Sequence, residues 1–288
     1  MRLSHEKPIY VAVTCDTEFL PPWNEGTWED MVTWSFEKGT PFLKEILESY
    51  NIQGTFFTQA TAIERFPDLV CELDRFGHHV GCHGYNHENY GGKPVKVWTK
   101  SQPVFLSDNK TKNQLLQKCI DIHFQVLDKH PETFVAPFDN INEDLLLILD
   151  DLGFKVDCSF YNYSLELNSF PFFPLEGKSL VEIPLTVLQM GTDVPKNLLE
   201  AFAYNPELAE ERLNTYVKSS LENYPFCMVL ITCHPYEFVD VKIPHPRDVL
   251  IVGQDKVDAL KRLIEILRHL KAQFVTPLDV LTTFRQVV

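Results

Sequence analysis

Short apolar segments that suit buried β-strands alternate with amphipathic helical segments along nearly the whole chain. Residues 9–14 (IYVAVT) form an apolar, β-branched run typical of a buried strand, and residues 226–232 form another. The further predicted strands are residues 54–57, 79–82, 133–136, 154–157, 180–185 and 273–276. With about eight strands, this order predicts an α/β fold with a parallel sheet, either a barrel or a doubly wound sheet.

The helices between these strands are marked by their caps and by apolar spacing. Thr40 as an N-cap followed by Pro41 predicts one helix start, and Asn142 and Gly153 flank a predicted helix at residues 143–151. The other predicted helices cover residues 61–76, 113–128, 209–223 and 255–271, with a short one at the C-terminus. No internal repeat or low-complexity linker interrupts the pattern, so we expect one domain over residues 1–288, with its core at about 8–285.

The charge and composition of the chain limit which partners it is expected to bind and in which compartment it is expected. Asp and Glu number 40 against 26 Lys and Arg, a net charge of −14 at pH 7, so we expect no nucleic-acid partner. No run of 18 or more apolar residues occurs, so we expect no membrane span. The seven cysteines are odd in number without a C-x-x-C pair, and the start MRLSHEKPIY lacks the apolar region of a signal peptide. A cytoplasmic protein is the simplest interpretation, and the oligomeric state is left open.

Acidic residues and histidines follow several predicted strands at the point where each strand ends. Asp16 and Glu18 lie two residues apart, so both side chains point the same way if the chain stays extended. His83 and His87 follow the third strand at i and i+4, and they converge if that segment turns helically. Two further predicted strands end in this way, at Asp157 and just before His234. Parallel barrels and doubly wound sheets gather functional residues at these carboxyl ends, which predicts a site there.

One carboxylate and two imidazoles form a mixed set of three metal ligands. Such a set suits Zn²⁺, and also Co²⁺, Ni²⁺ or Fe²⁺, and it leaves a position open for water, as in catalytic sites. The metal polarises a carbonyl group and lowers the pKa of water towards about 7. Asp16 is then available as a base and His234 as an acid that protonates a leaving group, each role typically adding about 10²–10⁴-fold in rate. These groups predict metal-assisted hydrolysis of an amide or ester.

These residues lie in motifs that resemble those of the polysaccharide deacetylase superfamily, also called the NodB homology domain or carbohydrate esterase family 4. The motifs occur in the family's order, and the likeness spans about residues 8–280. They are TCDTE at residues 14–18, GHHVGCHGYNH at 77–87, FVAP at 134–137, LGFKVD at 152–157 and LITCH at 230–234. The histidine motif with its glycine-rich beginning is the most specific of them.

The resemblance implies a single distorted (β/α) barrel and a divalent metal, usually zinc. The implied reaction is hydrolytic removal of an N-acyl group, acetyl or formyl, from an amino sugar or a related amide. His83 and His87 would be metal ligands, Asp16 the base and His234 the acid, with Asp157 orienting His234 through a hydrogen bond.

Two positions depart from the family's usual motifs. The first motif usually has two adjacent aspartates as base and ligand, but Thr17 is the second residue here, so we assign Glu18 as the third metal ligand. The exchange of roles between Asp16 and Glu18 is the second choice. Val135 replaces an arginine that usually pairs with the base, and Arg247 in another loop is a candidate substitute.

Loops at the carboxyl face of a barrel line its site, and flat aromatic side chains there suit sugar rings. The candidate substrate-binding residues are Trp23, Trp98, Pro137, Phe138 and Tyr161. We therefore expect a small-molecule or oligosaccharide substrate.

Two other functions are compatible with the same residues. An amidase acting on a small non-carbohydrate amide, imide or ureide fits a cytoplasmic location, because cell-wall polymers and chitin lie outside the membrane. A catalytically impaired, sugar-binding barrel fits the replacement of the motif arginine by Val135.

Overall fold

The computed structural model describes residues 7–19, 28–95, 103–161, 170–191, 195–240 and 252–288, and strands alternate with helices along them. The strands are β1 (Ile9–Thr17), β2 (Thr55–Thr58), β3 (His79–Cys82), β4 (Thr133–Phe134), β5 (Val156–Asp157), β6 (Val181–Glu182), β7 (Val187–Leu188), β8 (Lys196–Asn197), β9 (Cys227–Cys233) and β10 (Gln273–Phe274). The helices are α1 (Trp28–Val32), α2 (Thr40–Ser49), α3 (Ala60–Arg65), α4 (Pro67–Arg75), α5 (Asn109–Leu127), α6 (Glu143–Asp151), α7 (Leu198–Tyr204), α8 (Pro206–Asn223), α9 (Gln254–His269) and α10 (Pro277–Val287). A π-helix (Thr33–Gly39) joins α1 to α2, and 3₁₀ turns follow β4 (Pro137–Asp139) and β9 (Pro235–Phe238).

Eight of the strands form one parallel sheet around β1. Strand β9 pairs with β1 along residues 9–15, while β2 pairs with the end of β1 and β10 with its start. The sheet continues from β2 through β3, β4 and β5 to β6, all parallel. The carboxyl ends of the strands therefore lie along a common edge, as expected for this class of fold.

The sheet curls so that the chain after β6 returns to β9. The backbone N–H of Leu230 donates to the hydroxyl of Thr186 at 2.9 Å, and the N–H of Thr186 donates to the carbonyl oxygen of Leu230 at 3.3 Å. The predicted distorted (β/α) barrel is confirmed as a curled parallel half-barrel surrounded by helices.

The two faces of the sheet belong to different hydrophobic clusters. On the outer face Val13 and Phe56 pack with the surrounding helices. On the inner face Ala12 packs with Phe57 and Leu230, and α10 contributes to the same cluster. Because successive side chains of a strand alternate between faces, residues in step with Ala12 and Leu230 point towards the interior of the half-barrel.

Several predicted element boundaries are wrong for local reasons. Residues 61–76 are split into α3 and α4, because Phe66 before Pro67 has a non-helical conformation (φ −127°, ψ 52°). Thr40 does not cap a new helix, since Gly39 before it is already helical and the Thr40 hydroxyl donates to the carbonyl oxygen of Ser35 at 2.7 Å. Helix α7 and the β7–β8 hairpin were not predicted. Among the described residues, no helix has the length and apolar character needed to span a membrane.

Candidate metal centre

Strand register brings the acidic end of β1 next to β9 and two strands away from the end of β3. Cys15 pairs with Cys233, Thr17 with Thr58, and Thr58 with Cys82. The residues that follow these positions reach the same edge of the sheet. Asp16 and Glu18 share the inner face, as the two-residue spacing predicted, and the backbone N–H of Phe19 donates to the side chain of Gln59 at 2.5 Å, which fixes this end of the strand.

Glu18, His83 and His87 converge on one point. The Nε2 atom of His83 lies 2.8 Å from Glu18 Oε2, and Nε2 of His87 contacts the same oxygen. One potential ligand atom from each residue lies within 4.8 Å of the other two, and all three side chains are buried. Within the described part of the chain, no other trio of His, Cys, Asp or Glu side chains converges in this way.

The charges in this trio favour a cation. Burial opposes ionisation of Glu18, but His87 and the hydrogen bond with His83 outweigh it and hold the pKa of Glu18 well below its usual range. Burial lowers the pKa of His83, whereas Glu18 and Asp16 raise it, and the net effect is a raised pKa. An ionised carboxylate that draws two imidazoles together has the donor set of a divalent cation site, in which the cation replaces the imidazole protons.

The backbone around β4 orients His83. Nδ1 of His83 lies 2.9 Å from the carbonyl oxygen of Val135, an acceptor that requires the proton on Nδ1. Nε2 then donates to Glu18 Oε2 when it carries a proton, and offers its lone pair when a cation takes the place of that proton. A second partner of this kind fixes ring orientation in most metal-binding histidines.

His87 lies in a loop rather than in the helical turn that its spacing suggested. Its φ is +59°, in the left-handed region, and its ring packs against Phe138 with ring centres 4.4 Å apart. The loop is held by Glu88, which accepts from the N–H of Asn86 at 2.8 Å and from the hydroxyl of Tyr90 at 3.2 Å. The two imidazoles converge, with ring centres 5.3 Å apart, because the loop doubles back on itself.

Asp16 lies beside the trio with one free oxygen. Its Oδ1 is buried and has no hydrogen-bond partner, while Oδ2 lies 4.0 Å from Nε2 of His234. Burial raises the pKa of Asp16, and the imidazoles of His83 and His234 partly offset that effect.

His234 is the most open of these side chains, 28% exposed, and it lies between two carboxylates. Its Nε2 is 3.7 Å from Glu18 Oε1 and its Nδ1 is 3.8 Å from Glu237 Oε1. Glu237 in turn pairs with the buried Lys256 at 3.2 Å. Burial would lower the pKa of His234, but the bond to Glu237 and the charges of Glu18 and Asp16 raise it to about 10.

Glu237 was not identified from the sequence. A local signal exists, because the backbone N–H of His234 donates to Glu237 Oε2 at 3.2 Å across the three-residue spacing of a capping box. Lys256 and the charge of His234 overcome the burial of Glu237 and lower its pKa to about 2.

The expectation that Asp157 hydrogen-bonds to His234 is wrong. Val156 and Cys158 belong to the inner cluster, so Asp157 between them points to the outer face of the sheet. Its Oδ1 accepts a hydrogen bond from Ser159 at 2.5 Å, and its neighbour on β6 is Glu182. The carboxylate that faces Nδ1 of His234 is Glu237.

A strained turn after β4 adds a further acid to the site. Phe138 and Asp139 both adopt the left-handed conformation, with φ of +65° and +50°. Burial and then the charge of Asp16 raise the pKa of Asp139 to about 7. Asn140 holds the turn by donating to the side chain of Asn89 at 2.7 Å. Strained residues that are fixed in this way commonly occur at functional sites.

The candidate substrate-binding residues are distributed unevenly. Pro137 is buried and Phe138 is half-buried against His87, so both lie at the site. Tyr161 packs beside the inner cluster and donates its hydroxyl to the carbonyl oxygen of Pro195 at 2.9 Å. The predictions for Trp23, Trp98 and Arg247 lie outside the described residues.

Comparisons with known proteins agree with this fold. The family model of polysaccharide deacetylases matches residues 25–156. A peptidoglycan deacetylase of Helicobacter pylori is 30% identical over 188 residues, 62% of this chain and 57% of that protein. A peptidoglycan-N-acetylglucosamine deacetylase of Bacillus cereus is 32% identical over 143 residues, 48% of this chain and 46% of that protein. The chain therefore spans about half the length of these curated relatives.

Solved structures extend the likeness to the whole fold. A Mycobacterium smegmatis protein assigned to the polysaccharide deacetylases superposes with a TM-score of 0.68 at 19% identity, covering 99% of this chain and 93% of that one. The allantoinase PuuE superposes with a TM-score of 0.67 at 16% identity, covering 96% and 91%. Fold and site together define a parallel half-barrel with an acid–histidine cluster at its carboxyl edge. Among proteins of that class, this chain is similar to the polysaccharide deacetylases, in the family model over residues 25–156 and in fold over its whole length.

Proposed function

We propose that this chain is a metal-dependent hydrolase that removes an N-acyl group, acetyl or formyl, from an amino sugar. The observation that carries the proposal is the convergence of Glu18, His83 and His87 beside Asp16 and His234. The names of the curated relatives, both deacetylases of peptidoglycan or its amino sugar, support a glycan as the substrate class.

Glu18, His83 and His87 would hold the metal, most readily Zn²⁺ and otherwise Co²⁺, Ni²⁺ or Fe²⁺. When bound, the ion polarises the acyl carbonyl and lowers the pKa of water towards about 7. The geometry favours Glu18 over Asp16 as the ligand, because both imidazoles contact Glu18 Oε2.

Asp16 would act as the general base. Its free Oδ1 is the oxygen available to take a proton from the attacking water. Because the pKa of Asp16 is raised in the direction of neutral pH, its carboxylate accepts that proton more readily.

His234 would act as the general acid. Glu237 and Lys256 hold its imidazole from the Nδ1 side, and the raised pKa keeps the ring protonated at neutral pH. As the bond between the acyl carbon and the nitrogen breaks, Nε2 of His234 donates its proton to the leaving nitrogen. The products are a carboxylate and a free amine.

A small amide, imide or ureide is the second candidate substrate class. Val135 replaces the usual arginine beside the base, and an allantoinase is as similar in fold as the deacetylases. Release of acetate from N-acetylglucosamine oligomers, without turnover of cyclic ureides, supports the first class, whereas the reverse result supports the second.

Metal content and turnover of single variants test the site. We expect about one equivalent of zinc in the wild type, and loss of both metal and activity in His83→Ala and Glu18→Ala. Asp16→Asn should keep the metal but lower kcat by about 10²–10⁴-fold, the range of a general base. His79→Gln, a change at the other end of β3, is the matched control and should keep both. Metal retained in Glu18→Ala but lost in Asp16→Ala would exchange the two roles, and absence of metal from reconstituted wild type would refute the proposal.

A further inference from the structure

Asp157 and Glu182 form a buried pair of acids on the outer face of the sheet. They are register partners on the parallel strands β5 and β6, and both side chains are fully buried. One oxygen of each has a donor: Ser159 donates to Asp157 Oδ1 at 2.5 Å, and the N–H of Phe160 donates to Glu182 Oε1 at 3.0 Å. The other two oxygens, Asp157 Oδ2 and Glu182 Oε2, have no donor.

Two ionised carboxylates so placed would repel each other without water to screen them. The two groups are close enough to hydrogen-bond when one of them carries a proton. A single proton shared by the two carboxyl groups would remove one of the two charges and supply the hydrogen bond that a free oxygen lacks. Burial raises the pKa of Asp157 to about 6 and raises that of Glu182 well above its usual range, in agreement with this arrangement.

The pair is connected to the candidate metal centre by a short chain of hydrogen bonds. Ser159, which donates to Asp157, accepts from the backbone N–H of Ala136 at 2.7 Å. The preceding residue, Val135, presents the carbonyl oxygen that receives Nδ1 of His83. The Val135 carbonyl and the Ala136 N–H belong to one peptide group, so Ser159 and Asp157 hold the same peptide group that orients His83.

The geometry points to a positioning role: Asp157 and Glu182 share one proton, and the pair holds His83 in its metal-binding orientation through Ser159 and β4. This inference rests on the metal site of the proposed function. Beyond the pair itself, the ionisable groups of the described residues that are shown to interact with it are Asp139, in the turn after β4, and the thiol of Cys158. Neither carries a positive charge that could replace the shared proton.

Zinc affinity, measured by chelator competition on the zinc-loaded protein, tests the connection to His83. Asp157→Ala and Ser159→Ala should each weaken zinc binding about tenfold or more, as loss of groups that orient metal ligands does. Asp157→Asn should stay within about twofold of wild type, because its amide accepts from Ser159 and donates to Glu182. Asp150→Asn is the control, since Asp150 also accepts backbone hydrogen bonds but between α6 and β6.

Infrared spectroscopy tests the shared proton directly. Difference spectra against wild type should show the loss of one buried protonated-carboxyl band near neutral pH in Glu182→Gln and in Asp157→Asn, while the band of Asp139, whose pKa is also raised, cancels because all three proteins contain it. Absence of that loss from both difference spectra would overturn the shared proton. Wild-type zinc affinity in folded Asp157→Ala and Ser159→Ala would overturn the positioning role. A wild type that binds no zinc would refute the metal site and this link to it, while the infrared result would still decide the pair.

Discussion

The protonation of His234 depends on the carboxylate of Glu237. Glu237 faces Nδ1 of His234, binds its backbone N–H and is itself paired with the buried Lys256. In the proposed function, a histidine held in this way keeps its Nε2 proton available to the leaving group, which is the requirement for a general acid.

Glu237→Gln should therefore impair the acid step while leaving substrate binding in place. The amide keeps the shape and the backbone hydrogen bond but removes the charge that favours protonated His234. We expect kcat to fall about 10- to 100-fold, part of the 10²–10⁴ that a general acid contributes, with little change in KM. Steady-state kinetics with Glu207→Gln, an exposed ion-pair residue, provide the comparison. An equal loss in both variants would contradict the role of Glu237.

At the residue scale, the sequence identifies side chains that follow strands and misses those that act across elements. Asp16, Glu18, His83, His87 and His234 are brought together because each lies at or just after the carboxyl end of a parallel strand in a known order. The partners Asp139 and Glu182 carry no motif that marks them, and Glu237 has only its capping-box spacing from His234. The prediction for Asp157 was wrong because successive residues of a strand point to opposite faces, and Asp157 is at an outward-pointing position.

At the scale of elements, the sequence predicts the strands better than the connections between them. Apolar runs locate the parallel strands to within a few residues, because their side chains are buried on both faces. The helical path from α1 to α2 was missed, because a π-helix continues through Gly39 where a cap was expected. A Cβ atom at Gly39 would lie 2.3 Å from the carbonyl oxygen of Pro235, so this glycine permits close packing against the turn that follows His234.

The left-handed turn that contains Asp139 should make the folded protein less stable than a glycine at this position would. Asp139→Gly relieves a left-handed residue, which costs about 1–2 kcal/mol for an ordinary L-residue, and should raise the free energy of unfolding by about 0.5–1 kcal/mol. This gain in the free energy of unfolding should grow as pH rises from 4 to 7. The raised pKa of Asp139 makes its contribution to stability greatest below the unfolded value and lost as the folded group ionises near 7.

Asp128→Gly separates backbone strain from burial of charge. Asp128 ends α5 with φ of +54° and is exposed, so its replacement reports the gain from backbone conformation alone. Urea unfolding of both variants and wild type, without added metal, measures the difference. An Asp139→Gly gain no larger than that of Asp128→Gly at pH 7 would contradict the buried charge.

At the scale of the whole molecule, two sets of buried groups change the free energy of unfolding in opposite directions as pH rises. His78, His79 and His123 lie at β3 and α5, and burial lowers the pKa of each, to about 4 for His79. Asp157 and Glu182, on β5 and on the edge strand β6, have raised pKa values. The fold was predictable from the strand order, but this balance was not, because it depends on which polar side chains the curled sheet buries.

Between about pH 4 and 6.5 the two sets should therefore oppose each other, because the histidines add to the free energy of unfolding as pH rises and the acids subtract from it. The buried histidines contribute stability fully above 6.5, their unfolded value, and that contribution is lost as pH falls towards 4, because only the unfolded chain takes up protons. The raised acids contribute fully below their unfolded values and lose that contribution as pH rises through 6, and self-repulsion of the net charge of −14 adds to the loss. Urea unfolding from pH 4.5 to 9 measures the curve. Over this range His79→Gln should lower the slope of the free energy of unfolding against pH and Glu182→Gln should raise it, and the opposite change in either variant would show that the sign assigned to its group is wrong.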